Sequence, residues 1–246
     1  MSVLGEARSA GFLGPGPLEP QIRHAEGFGA VARRLVGPLP DHDDEVASGA
    51  AGPGAEESEP AAASQAPRVL DLGSGGGLPG LVVATQWPEA RLVLLEAQGR
   101  RAAFLGWAIG TLGLGGRVSV SHVRAEEFGR DPGGRGCFDL VLARSFGPPA
   151  VTAECAAPLL RTGGWLVVSE PPSQGQAQGK GQGRGQSQEQ AQEEPQRWPA
   201  GALGQLGLRP AERIHAEFEY RVLRQEEPCP ERFPRRNGVP AKRPLF

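Results

Sequence analysis

Residues 71–80 read Asp-Leu-Gly-Ser-Gly-Gly-Gly-Leu-Pro-Gly, directly after the apolar run Val69-Leu70. Glycines in such a segment let the backbone turn sharply and come close to a ligand, and a following helix offers N–H groups without intrahelical partners. Further along, the apolar run from Arg91 ends in Glu96. A carboxylate there can accept both hydroxyls of a ribose, as acidic residues do at the corresponding place in dinucleotide sites. Arg124-Ala125-Glu126 follows a third branched run and suits contacts to an adenine edge. All three segments fall at the carboxyl ends of expected strands, where open α/β sheets bind ligands.

Two nucleoside ligands compete for this pattern. Gly75, Gly77 and Gly80 satisfy GxGxxG, the fingerprint of nicotinamide dinucleotide sites. In that fingerprint the first glycine comes almost directly off the strand, whereas here Asp71 and Gly73 precede it and Pro79 interrupts it. The Asp-x-Gly-x-Gly-x-Gly order favours S-adenosylmethionine, which has no pyrophosphate and whose amino-acid end needs an acceptor near the loop. Asp71, Gly73, Gly75, Gly77 and Glu96 are therefore the expected cofactor residues.

The elements that must position them follow from apolar periodicity. Strands are expected at 68–72, 91–96, 117–122, 138–143 and 164–169, and two more within 209–224, where Phe218, Tyr220 and Val222 alternate. Helices are expected at 79–86, 98–112, 148–160 and 198–207. Short branched runs alternating with longer amphipathic stretches predict an α/β fold of the Rossmann-like class, a doubly wound, mostly parallel sheet of seven strands. Residues 1–40 form a separate N-terminal region with one expected helix over Ile22–Val36. Residues 41–67 carry seven acids and neither Lys nor Arg, and read as an acidic disordered linker. Residues 68–246 form the catalytic domain, interrupted at 173–196 by a Gln/Gly-rich insert that offers no branched apolar side chain to a core.

Gly (37) and Pro (24) make up about a quarter of the 246 residues, consistent with such low-complexity segments. A formal charge of −2 excludes a globally basic nucleic-acid binder but leaves room for a local basic patch. The three cysteines are odd in number and none forms a CxxC pair, so neither a disulfide framework nor a metal site is expected. The first ten residues hold no apolar signal core and no run of roughly 18 apolar residues occurs, so a cytoplasmic protein without a membrane span is expected.

LDLGSGGGLPGL, LVLLEAQGRRAAFLGW, RAEEF, FDLVLARSF and the tail FPRRNGVPAKRPLF together resemble the RsmG family, bacterial guanine-N7 methyltransferases of 16S ribosomal RNA. The resemblance runs from about Arg68 to Glu170 and returns over Phe233–Phe246. It implies that Gly73 and Leu78 line the cofactor site, that Ala125 and Glu126 bind the adenine end, and that Arg144 lies at the cofactor and substrate side of the fourth strand. Glu96 stands where the family usually has Asp, and Ser169-Glu170 where it usually has Lys-Gly. The implied substrate is 16S ribosomal RNA or the small ribosomal subunit, and the implied protein is a monomeric enzyme of rRNA processing. Guanine N7 carries a lone pair and no proton, so the transfer needs alignment rather than a base. No residue is given a catalytic role, and His24, His42, His122 and His215 read as solvated or locally bonded. Within 228–246 five basic residues face the single acid Glu231. Arg235, Arg236, Lys242 and Arg243 are the expected phosphate contacts. The alternative is a non-catalytic or differently targeted RNA-binding or ribosome-binding protein on the same fold.

Overall fold

A computed structural model describes residues 2–36, 66–171 and 197–246. The Gln/Gly-rich insert and all but the last two residues of the expected acidic linker lie outside the described residues. Along the chain the elements are α1 (Val3–Ser9), α2 (Leu18–Val36), β1 (Arg68–Leu72), α3 (Gly80–Gln86), β2 (Arg91–Leu95), α4 (Gly99–Thr111), β3 (Val118–Ser121), α5 (Ala125–Phe128), β4 (Phe138–Ala143), α6 (Pro149–Ala156), β5 (Leu160–Glu170), α7 (Ala200–Gly204), β6 (Leu208–His215), β7 (Glu219–Gln225) and α8 (Val239–Lys242).

The seven strands form one sheet in the order β3-β2-β1-β4-β5-β7-β6. β1 to β5 are parallel, while β7 runs antiparallel to both β5 and β6. β1 lies between β2 and the central β4, with Asp71 level with Leu94 of β2 and Leu142 of β4. Parallel strands are covered by helices on both faces and so read as continuous apolar runs. In β1, Val69 joins the layer under α2, α3 and α4, with Phe28, Leu81 and Leu105, while Leu70 and Leu72 face α6 and α7 with Ala153 and Leu203. Successive side chains point to opposite faces, so Asp71 falls on the α3 face with Val69. The edge strand β6 instead alternates partly buried and exposed residues after the buried Leu208, as a half-covered strand should.

The N-terminal region differs from the expectation of one helix. α2 starts four residues earlier than expected, and α1 precedes it, capped by Ser2 Oγ accepting from Gly5 N at 3.2 Å. α2 packs on the sheet through Phe28, whose ring meets Tyr220 edge-on at 4.9 Å, and the Tyr220 hydroxyl donates to His24 O at 2.8 Å. Burying a ring like Phe28 completely stabilises the fold by about 1.5–3 kcal/mol. The loop between α1 and α2 is thereby held over the carboxyl end of β1.

Candidate functional site

Strand order reverses between β1 and β4, which makes a crevice at their carboxyl ends. The glycine loop leaves β1 and is tied to the end of β2: Gly73 N and Ser74 N both donate to Leu95 O, at 2.9 and 3.0 Å. Gly73 has φ +73°, and a Cβ on it would lie 2.6 Å from the Phe146 ring, so only glycine fits without displacement. Two cavities open beside this loop and share Gly73, Arg101 and Ser145 as walls. One, of about 190 Å3, is bounded also by Glu96, Ala125 and Phe146. The other, of about 240 Å3, is bounded by Phe12, Leu13, Gln21, Gly75, Leu78 and Arg144.

Glu96 sits where the sequence places it, at the rim of the first cavity and only 5% exposed. Its Oε2 accepts from Gly75 N at 2.9 Å and its Oε1 from Gln98 N at 2.8 Å. Each carboxylate oxygen carries two lone pairs, so one acceptor site on each remains for a ligand. Gly73, Gly75, Leu78, Ala125 and Arg144 also line the two cavities. Gly77 does not. It turns at φ +93° behind the loop, against Leu81.

Asp71 is placed differently from the expectation. Its carboxylate is buried beneath the loop, and Oδ2 accepts from Gly80 N at 3.0 Å, so it caps α3 and borders neither cavity. Burial pushes its pKa up to about 7, opposed by the Gly80 N–H and the nearby Arg144 guanidinium. Glu126 also turns away from the cavities: Oε1 accepts from Gly238 N at 2.8 Å and lies 3.5 Å from Arg124 Nη2. Burial works against its charge, yet the Gly238 N–H and Arg124 hold its pKa below the usual value.

Arg144 is half-buried and reaches the N-terminal region, donating to Gln21 O at 3.4 Å and to Gln21 Oε1 at 3.3 Å. Burial lowers its pKa, while Asp71 opposes that shift. The next residue, Ser145, is the only non-glycine with positive φ (+54°) among the described residues. Such backbone strain concentrates at ligand sites, and Ser145 borders both cavities. Phe12, Leu13, Gln21, Arg101, Ser145 and Phe146 escaped the sequence analysis. Of these, Arg101 carried a signal in its basic charge, within the first turn of the helix after Glu96, and Ser145 and Phe146 lay in the motif FDLVLARSF without being singled out.

The tail is split in two by the structure. Arg235 is engaged within the fold: its Nε and Nη2 donate to the fully buried Glu154 at 2.8 and 2.5 Å, and its backbone N donates to the same carboxylate at 2.9 Å. Arg236, Lys242 and Arg243 are exposed. Arg130 and Arg135 hold the same segment through the carbonyls of Phe233 and Arg235, and Asn237 donates to Glu127. Glu170, the acid at the end of β5, is turned onto Arg197 (2.9 Å) and the Trp198 indole N–H (2.8 Å) and borders neither cavity. The charge reversal there is neutralised locally.

A larger hollow of about 620 Å3 lies at the opposite, amino ends of β1 to β3, between Arg68, Arg91 and Arg117. Open α/β sheets bind at the other end, and the Arg117 guanidinium is occupied by the carbonyls of Ala84, Trp87 and Ala90. Among the described residues no helix is long and apolar enough to cross a membrane, and no group of three or more His, Cys, Asp or Glu could hold a metal ion.

Sheet order, glycine loop and the acidic end of β2 define the Rossmann-like fold of S-adenosylmethionine-dependent methyltransferases. A solved Klebsiella pneumoniae protein assigned as an O-methyltransferase shares it with a TM-score of 0.53 at 17% identity, over 90% of this chain and 87% of that one. The GidB family model, described as rRNA small subunit methyltransferase G, matches residues 58–190. Proteins named ribosomal RNA small subunit methyltransferase G are similar over most of the chain. The one from Rubrobacter xylanophilus is 39% identical, over 72% of this chain and 65% of its own length. The one from Prochlorococcus marinus strain MIT 9313 is 38% identical, over 77% and 72%. The chain spans about two thirds of the length of the Rubrobacter relative. This chain belongs to the rRNA small subunit methyltransferase G (GidB) family.

Proposed function

We propose that this chain transfers a methyl group from S-adenosylmethionine to N7 of a guanine in 16S ribosomal RNA. The observation that carries the reading is Glu96. Its carboxylate is fixed by two backbone N–H groups, buried at the end of β2 and still able to accept from a ligand in the cavity it borders.

The residues present fit the cofactor. Glu96 accepts from the ribose hydroxyls, Ala125 and Phe146 bound the adenine side, and Gly73, lacking a Cβ, lets the backbone approach. Gly75, Leu78 and Arg144 bound the adjoining cavity, where the amino-acid end and the target base meet. When bound, S-adenosylmethionine supplies an electrophilic methyl group on a sulfonium. Everything else asked of the protein is alignment, because N7 attacks with an existing lone pair and no proton has to be removed first. Arg144, oriented by Gln21, presents a guanidinium suited to a guanine oxygen or to the cofactor carboxylate. Arg236, Lys242 and Arg243 give the tail an exposed cationic surface that suits phosphates without reading sequence.

Small-subunit RNA from cells lacking the protein tests the reading. One guanine-containing fragment should be lighter by a single methyl group than in the parent strain, and the methyl should map to N7. Identical masses for all fragments would overturn it.

A further inference from the structure

We propose that the face of α4 that carries Arg100, Phe104 and Trp107 is a stacking platform for unpaired RNA nucleotides next to the target base. This inference deepens the proposed function and rests on it.

Three rings form a continuous series from the cavity to the surface. Phe12 lines the cavity that also holds Arg144. Its ring lies 5.5 Å from Phe104, edge-on, and Phe104 lies 5.5 Å from Trp107. Trp107 is 48% exposed, while Trp87 and Trp198 are each 4% exposed and Trp165 is covered by the Arg224 guanidinium. About half of the Trp107 ring is left in water, and the ring it meets is Phe104, itself next to the cavity-lining Phe12. Residues 100, 104, 107 and 111 follow helical i, i+4, i+7 and i+11 spacing and share one face. Arg100 is exposed at the cavity end of that face, and Arg101 borders both cavities.

Charge selects the occupant. α4 contains two arginines and no acid, which suits a polyanion. The chemistry of the cavity requires that a guanine be turned out of its stack, so its neighbours on the strand are left without a stacking partner at this mouth. Aromatic faces beside a basic groove replace such partners in single-strand binders, for any base. A protein partner of this chain would meet the same arginines, but nothing in the ring series would lead it from the cavity.

Titrating a short single-stranded oligoribonucleotide that contains one guanine and a 5′ fluorescent label with the full chain, followed by the label's anisotropy and, for wild type, by tryptophan quenching, tests the assignment. Wild type should be quenched on binding. Trp107→Ala should bind about tenfold or more weakly, whereas Trp107→Phe should keep most of the affinity. The salt dependence of binding and the affinity for S-adenosylmethionine should be the same in all three proteins, since a stacked ring neither neutralises phosphate nor touches the cofactor. Wild-type affinity in Trp107→Ala would overturn the inference. So would a dimer of the wild type that becomes a monomer in the variant with RNA affinity unchanged, because the face would then join two copies of the chain. Methyl transfer to 16S RNA, measured alongside, separates the two claims. No transfer by wild type refutes the proposed function, while equal kcat/KM for wild type and Trp107→Ala refutes the platform alone.

Discussion

Arg235→Gln should destabilise the protein without changing how its RNA affinity depends on salt. Glu154 is fully buried in α6, and the guanidinium of Arg235 is its cationic partner at 2.5–2.8 Å. Removing one member of a buried ion pair leaves an uncompensated charge, which costs roughly 3–5 kcal/mol where both members are enclosed. The Arg235 side chain is 27% exposed, so solvent screens part of the interaction. The backbone N–H of residue 235 also survives the substitution. Discounted for this exposure, the cost falls to about 2–3 kcal/mol. For a chain of this size each kcal/mol lowers Tm by roughly 2–4 °C, so a fall on the order of 5–10 °C is expected by calorimetry. The triple change Arg236→Gln, Lys242→Gln and Arg243→Gln should do the reverse. Exposed side chains contribute within about 0.5 kcal/mol, but every phosphate that is no longer neutralised takes roughly 0.7–0.9 off the slope of log affinity against log salt. An Arg235→Gln protein that melts like wild type while its salt slope falls would show that this guanidinium serves RNA rather than Glu154.

Glu96→Ala should weaken S-adenosylmethionine binding by roughly 10- to 100-fold, the worth of a hydrogen bond to a charged group, and an unchanged Kd by calorimetry would contradict the ribose assignment. Gly80→Ala should lower stability by roughly 1–3 kcal/mol in urea unfolding, because its Cβ would lie 2.4 Å from Leu94 Cδ2 and 2.5 Å from Asp71 Oδ2; an unmoved midpoint would show that α3 can shift freely. Burial pushes the Asp71 pKa from 3.8 to about 7, so the stability gained from its neutral form is fully present below the unfolded value and is lost as pH rises through about 7. Wild-type stability measured relative to Asp71→Asn should therefore fall between pH 4 and 7, and a flat difference across that range would contradict an enclosed, neutral carboxyl.

The sheet was legible because parallel strands covered on both faces leave apolar runs, such as Leu92–Leu95 and Leu140–Ala143, without the polar alternation of a half-exposed strand. The glycine loop and Glu96 were legible for a related reason: each lies at the end of its own strand, so their meeting follows once the strands pair. What pairs across distance was not. Arg235 and Glu154 are 81 residues apart, and Arg144 and Gln21 123 apart, and no periodicity links either pair. α1 escaped because seven residues with only Val3 and Ala7 buried leave no amphipathic stripe to read. Asp71 was expected among the cofactor residues, and its carboxylate accepts from Gly80 N at the start of α3. An acid before a glycine loop serves a ligand or a helix N-terminus equally well, and only the face of β1 on which it falls decides between them. The left-handed backbone of Ser145 is announced by no residue type, since serine is not among the residues that favour it.

The central claim is tested most directly by incubating the purified chain with methyl-labelled S-adenosylmethionine and 16S ribosomal RNA, free or in small subunits, taken from cells that lack the protein. Label should enter one guanine, at N7, and the transfer should fall steeply in Glu96→Ala at subsaturating cofactor. Stable binding of both ligands with no label in RNA would contradict the account.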